Sequence, residues 1–393
     1  MSLQLRRAVG ASLLSVAFSA SGAPYIPADD TQVLERLPMR AADPVARELR
    51  ALRTELAANP ANPALAEKLA RRYFDLAMAE GDPRYVGYAE AALRPWSAKP
   101  MPPNLLLARA LSRQYRHDFK GALEDLALGL SADPGNVDLH AWRAAIFMVQ
   151  ARYAEARGEC AALSPNASEL FSTGCFAYVE ATTGKTRMAY DRLSATLERH
   201  PQSSPDSKLW NLTRLADMAR RLGDPATAEK HFRQALSLGI TDNFLLAAYA
   251  DFLLDEKRPS EVTVLLKDWA RSDTLLLRLA FAENALGVPT AAGRVRALED
   301  RFAEAALRGE RLHMQEEARF RLHLKRDPRG ATRLAVENWK AQREPRDAAI
   351  LLEASLAAGD KAAARPALEW LSQSGYEDPA LGRLADALKA ASR

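Results

Sequence analysis

The sequence predicts an all-α fold, a solenoid of stacked antiparallel helix pairs. Three observations predict it. First, a small residue returns at Ala122, Ala156, Ala189, Ala228, Val262, Ala292, Ala331 and Ala364, in steps of 34, 33, 39, 34, 30, 39 and 33 residues. A period of that size marks a two-helix repeat. Second, twelve residues before each of these stand Ala110, Ala144, Ala177, Ala216, Ala250, Ala280, Arg319 and Leu352. Six of the eight are alanine, as expected where two helices joined by a tight turn approach closely and bulky neighbours fill the gaps beside small residues. Third, helical periodicity runs through nearly the whole chain, and no stretch alternates with the period of two that a strand requires.

The elements follow in order. Arg6 and Arg7 precede the apolar-and-small stretch 8–20, the pattern of a secretory signal. That stretch is too short to span a bilayer comfortably, which takes about 20 residues. Cleavage is expected after Gly22, making residues 1–22 the signal, with no cysteine nearby to carry a lipid anchor. Residues 23–43 read as an irregular lead-in. Residues 44–392 read as one solenoid of about nine helix pairs, because single cores stop growing near 250–300 residues whereas stacked repeats do not. A degenerate pair, 65–80 with 85–93, opens the series. Later turns are expected at Asp118-Phe119, Arg152-Tyr153, Gly184-Lys185, Gly223-Asp224-Pro225, Arg258-Pro259, Val288-Pro289, Asp327-Pro328 and Gly359-Asp360. Glycine is expected to end the first helix and proline to start the second. Breaks at Asn59-Pro60, 95–103, 201–205 and 343–345 fall between pairs. Residues 378–391 form the expected capping helix, polar side outward.

Charge excludes one class of partner. Lys and Arg number 54 against 50 Asp and Glu, for a net charge of +4. Loss of Arg6 and Arg7 with the signal leaves +2. The charges are mixed along every helix, which describes a solvated surface and not a nucleic-acid face. No further stretch is apolar enough to span a membrane.

The residues of catalysis and metal binding do not assemble. The histidines are His117, His140, His200, His231, His313 and His323. His313 and His323, ten apart, are rotated by about 280° on a helix and share no face. His313 and Glu317 are one turn apart, the spacing of an exposed ion pair. No nucleophile elbow, phosphate loop or dinucleotide fingerprint occurs. The expectation is a non-enzyme with no cofactor and no metal.

In the repeat register Cys160 lies on the second helix of one unit and Cys175 on the first helix of the next, which are neighbours in a solenoid. An exported chain permits a structural disulfide between them. Closing that loop of about 16 residues stabilises by about 3 kcal/mol in the chain-entropy picture. The alternative is two small core residues. No C-x-x-C spacing supports a redox role.

These positions resemble the tetratricopeptide repeat family. The best unit is 107–136, with Ala110, Phe119, Ala122, Leu126 and the closing Asp133-Pro134-Gly135-Asn136; the last units lose the small residue, at Arg319 and Leu352. The resemblance implies a right-handed superhelix whose concave wall is lined by the first helices, at positions two, five, nine and twelve of each unit. Position two gives Phe171, Trp210 and Phe244. Position nine gives Tyr178, Asp217, Asp251, Phe281 and Phe320, and position twelve gives Gln114, Met148, Arg220, Asn284 and His323. Members that clasp acidic tails use lysine, arginine and asparagine at such places, whereas most here are apolar or acidic. The expected site is therefore an aromatic groove of Phe171, Tyr178, Trp210, Phe244, Phe281 and Phe320 for an apolar segment of a partner protein, although each ring singly can instead pack against the next unit. The expected function is that of an exported, periplasmic adaptor in an envelope assembly, secretion or maturation system. The alternative is an envelope protein that holds a polysaccharide or cell-wall polymer in its groove.

Overall fold

The computed structural model describes residues 27, 29, 31, 32, 43–97, 100–310 and 312–390. The expected signal, 1–22, and most of the lead-in, 23–43, lie outside the described residues. Among those described there are α-helices and a single 3₁₀ turn (Arg94–Trp96) but no strand. The helices fall in one compact unit, Ala41–Arg393.

Helix α1 (Pro44–Ala58) precedes nine helix pairs. The pairs are α2 (Pro63–Glu80) with α3 (Arg84–Leu93), α4 (Pro103–Tyr115) with α5 (Phe119–Ala132), and α6 (Val137–Val149) with α7 (Tyr153–Leu163). They continue with α8 (Glu169–Thr182) and α9 (Thr186–Arg199), α10 (Pro205–Arg221) and α11 (Pro225–Leu236), and α12 (Asn243–Asp255) and α13 (Pro259–Leu266). The last three are α14 (Asp273–Leu286) with α15 (Ala291–Leu307), α16 (Met314–His323) with α17 (Pro328–Ala341), and α18 (Pro345–Ala358) with α19 (Lys361–Ser374), followed by α20 (Pro379–Ala390).

Local chemistry starts these helices. Asp118, Asp224, Asp327 and Asp360 accept from the amide three residues on and so cap α5, α11, α17 and α19. Asn62, Asn136, Ser168, Ser204, Asp242 and Ser272 do the same for first helices. Proline opens α10, α11, α13, α17 and α18, where its missing N–H costs nothing.

Each turn inside a pair bends through one left-handed residue. From the second pair onward these are His117, Ala151, Gly184, Gly223, Lys257, Gly287, Arg326 and Gly359, with φ between 58° and 79° for all but Arg326, at 55°. Each stands five residues before one of the repeating small residues, so the two series share one set of steps. Glycine, expected to end the first helix, does so at four of the eight turns. At the others a non-glycine residue takes a conformation that costs it about 1 kcal/mol or more.

Seven of the eight repeating small residues are completely buried, at 0% exposure. Ala292 is the exception and faces solvent. Its turn runs on through Val288-Pro289-Thr290, so α15 starts four residues after the left-handed Gly287 instead of two. The inward stripe shifts to Ala291, Leu298 and Phe302. Cys160 on α7 and Cys175 on α8 are buried, with Sγ atoms at bonding distance, 1.94 Å, and Cα atoms 5.6 Å apart.

The stack curls until its second coil rests on its first. Gly81, at the α2–α3 turn, packs against Asn243 and Ser272, the starts of the sixth and seventh pairs. Arg343, just ahead of α18, donates its amide to the Val149 carbonyl at 2.7 Å, and the Trp370 indole donates to the Tyr153 hydroxyl at 2.8 Å. Gly184 lies against the Gly375 backbone, so close that a Cβ would sit 2.9 Å from the Gly375 carbonyl oxygen. The Thr186 amide donates to Glu377 at 2.9 Å. The turn ends of the early pairs therefore meet segments of the chain five or six pairs later.

Candidate functional site

Three consecutive first helices, α8, α10 and α12, build an aromatic wall around one cation. Phe171 on α8 stacks on Trp210 of α10, with centroids 5.9 Å apart. Gly174 makes room for this: a Cβ there would overlap the Trp210 indole and the Asn211 amide. One turn beyond Trp210, the Arg214 guanidinium lies 3.6 Å over the Tyr178 ring, 5.0 Å from Trp210 and 5.9 Å from Phe244. Spacings of this kind carry cation–π attraction. Phe244 is left 45% exposed.

Around the wall the inner surface is ionic. Asp251 on α12 accepts from Arg278 of α14 at 2.6 Å and from Arg319 of α16 at 2.9 Å. Burial works against this carboxylate, but the two guanidinium groups outweigh it and hold its pKa at about 2. Asp217 on α10 pairs with Arg220 at 3.2 Å and Arg221 at 3.1 Å. Arg220 also reaches Asp378 at 2.9 Å. Glu344 accepts from the Tyr178 hydroxyl at 3.4 Å and from Arg346 at 2.6 Å. Burial pushes the Tyr178 phenol up to about 12.

The candidate residues thus divide. Phe171, Tyr178, Trp210 and Phe244 come together, with Tyr178 also tied to the second coil through Glu344. Phe281 sits one unit further along, edge-on to His323 at 5.6 Å with Arg319 5.3 Å from its ring. Phe320 does not line the wall. It is 3% exposed and packs on Phe302 of α15 at 5.4 Å, in the core of the preceding pair, while its neighbour Arg319 reaches Asp251. Arg214 went unread in the sequence because it occupies position six of its unit. Its signal was the four-residue spacing from Trp210, which puts both on one helix face.

Among the described residues no group of three or more His, Cys, Asp and Glu is placed to hold a metal ion. No helix among them is long and apolar enough to cross a membrane.

No protein-family model matches the chain, and no curated protein matches it in sequence. Solved structures that resemble it include Naa15/Naa10 bound to HypK-THB, at 14% identity and a TM-score of 0.25, over 88% of this chain and 63% of that one. This chain therefore aligns with under two thirds of that protein's length. Yeast Tom70 is similar at 14% identity and a TM-score of 0.31, over 88% of this chain and 91% of its own. The TPR domain of P58(IPK) is similar at 15% identity and a TM-score of 0.21, over 88% and 98%.

Proposed function

We propose that this protein is an exported, periplasmic adaptor that captures an apolar segment of a partner protein on the wall formed by Phe171, Trp210 and Phe244, in the service of an envelope assembly, secretion or maturation system. The observation that carries the reading is Phe244. A large ring left 45% exposed beside a stacked Phe–Trp pair and a cation is the kind of anchor that protein interfaces use. Export is supported by the signal-like start of the sequence and by two cysteines at bonding distance. The polymer alternative draws less support, since Trp210 is half-buried, with Phe171 stacked on it and the Arg214 guanidinium 5.0 Å from its ring.

The experiment compares the mature protein with its Trp210→Ala/Phe244→Ala variant, immobilised and exposed to envelope extract. A partner retained by the wild type and lost by a variant of unchanged helical content is the expected result. Equal retention by both sinks the wall as the docking site, and release of the captured material by glycan hydrolases would favour the polymer.

A further inference from the structure

We infer that the loop Gly375–Asp378 is a catch that holds the second coil on the first, that the coils part as one unit when it lets go, and that parting uncovers the Tyr178 side of the wall. What the opening serves rests on the docking role proposed above; the opening itself does not.

The loop grips the ends of two wall helices. Helix α8 carries Phe171 and Tyr178, and α10 carries Trp210. Gly375 lies against Gly184, just past the end of α8. Tyr376, 7% exposed, holds its ring 4.4 Å from the Arg221 guanidinium at the end of α10. The same Arg221 donates to the Ala181 carbonyl of α8 at 3.0 Å and to the Glu377 carbonyl at 3.4 Å. Asp378 accepts from Arg220.

Glu377 supplies what α9 lacks in its own sequence. An aspartate just ahead of α5, α11, α17 and α19 caps each of them, but Lys185 holds that place at α9 and makes no side-chain cap bond. The Glu377 carboxylate accepts the Thr186 amide instead, at the positive end of α9. That bond draws the Glu377 carboxyl below the usual glutamate range.

The remaining contacts between the coils are suited to parting. The Arg343 amide on Val149 and the Trp370 indole on Tyr153 are polar bonds, exchanged for bonds to water at little net cost. Parting the helices of a pair would instead open an apolar core. The core shared by α16 to α20 draws all its buried members from the stretch between Ala318 and Leu388, so these helices are free to swing as a block. The block carries Glu344, which accepts from the Tyr178 hydroxyl and pairs with Arg346. In the closed coil this ion pair lies over the hydroxyl edge of Tyr178; in the open coil Tyr178 joins the exposed wall.

The test breaks the Thr186–Glu377 bond from either side in the mature protein. Glu377→Arg reverses an exposed charge beside Arg221. Thr186→Pro removes the donor and leaves α9 opening on proline, as α11, α13 and α17 already do. In both variants the Arg343 amide, which belongs to a different contact between the coils, is expected to exchange about tenfold faster, equal to about 1.4 kcal/mol, with residues 379–390 still protected. Tetranitromethane, followed by mass spectrometry, is expected to nitrate Tyr178 faster by the same factor. An unchanged Arg343 amide and unchanged Tyr178 in both variants overturn the catch and leave Glu377 a cap for α9 alone. Glu377→Arg is also expected to retain more of the wall's partner from envelope extract, the surplus vanishing when Trp210→Ala/Phe244→Ala is added. Faster nitration of Tyr178 without greater retention overturns the gating of the wall and upholds the opening. Retention by neither protein sinks the docking role of the wall, while the Arg343 amide still decides the catch.

Discussion

Arg220 of α10 meets Asp378 at 2.9 Å across 158 positions of sequence, and the same Asp378 carboxylate accepts the amides of Ala380 and Leu381 at the start of α20. One buried side chain thus caps the last helix and fastens it to the fifth pair. Asp378→Ala should remove both roles and leave Arg220 short of a partner. The expected loss is about 3 kcal/mol, with faster amide exchange confined at first to residues 376–390. Asp378→Asn keeps a good cap and loses the charge, so it should fall between. Exchange unchanged in Asp378→Ala would mean that α20 is held by its apolar face alone.

Cys160 and Cys175 should be bonded in the mature protein. Thiol titration of the denatured chain is expected to find no free thiol without reductant and two with it. Breaking the link with Cys160→Ser/Cys175→Ser should cost about 3 kcal/mol, read from the denaturant midpoint. Two free thiols in the unreduced protein would remove the bond from the account.

The left-handed turns give a pair of substitutions with opposite signs. Ala151, at φ 58°, should be relieved by glycine, with a net gain of about 0.5 kcal/mol after the unfolded chain's added freedom is counted. Gly184, at φ 77° and against Gly375, should tolerate alanine badly, because strain and the 2.9 Å overlap add together. A loss of about 2 kcal/mol is expected there. Equal effects at the two sites would break the claim that Gly184 is fixed by the second coil.

A half-buried histidine and a buried aspartate should bend the pH profile in opposite directions. Burial first, and His313 second, lower the His117 pKa to about 4, below its unfolded value of about 6.5. Stability from neutral His117 is therefore complete above pH 6.5 and lost as pH falls toward 4. His117→Asn, which suits the left-handed turn, should flatten that loss. Burial pushes the Asp347 carboxyl up to about 7, against the pull of Arg346. Stability from its protonated form is complete below about pH 4 and lost as pH rises through 7. Asp347→Asn, which carries no charge to bury, should therefore gain on the wild type as pH rises from 5 to 8. Denaturant midpoints at pH 4.5, 6 and 8 check both; parallel profiles for wild type and variants would refute both.

The repeating small residue located the turns because it lies five residues beyond each left-handed position, and that offset is a local property of a tight helical hairpin. It misplaced the inward stripe of α15, where two added turn residues change the phase without changing the count. Arg319 looked like a loss of register, yet Arg326 and Ala331 keep it. The arginine stands where alanine would because it spans to Asp251. Phe171, Trp210 and Phe244 could be read as one wall from equal positions in successive units. The exclusion of Phe320 could not, since neighbouring residues on α16 differ only by a rotation. The meeting of the two coils was also invisible, because it sums small rotations over five or six pairs.

That meeting changes how the chain would respond to force. An open helical stack lengthens like a slack spring, each unit yielding a little. Here the windings already touch through the Arg343 amide, the Tyr153 and Thr186 contacts and the Arg220–Asp378 pair. The coil behaves as a spring wound solid: it resists stretching until the seam gives, and then it yields abruptly.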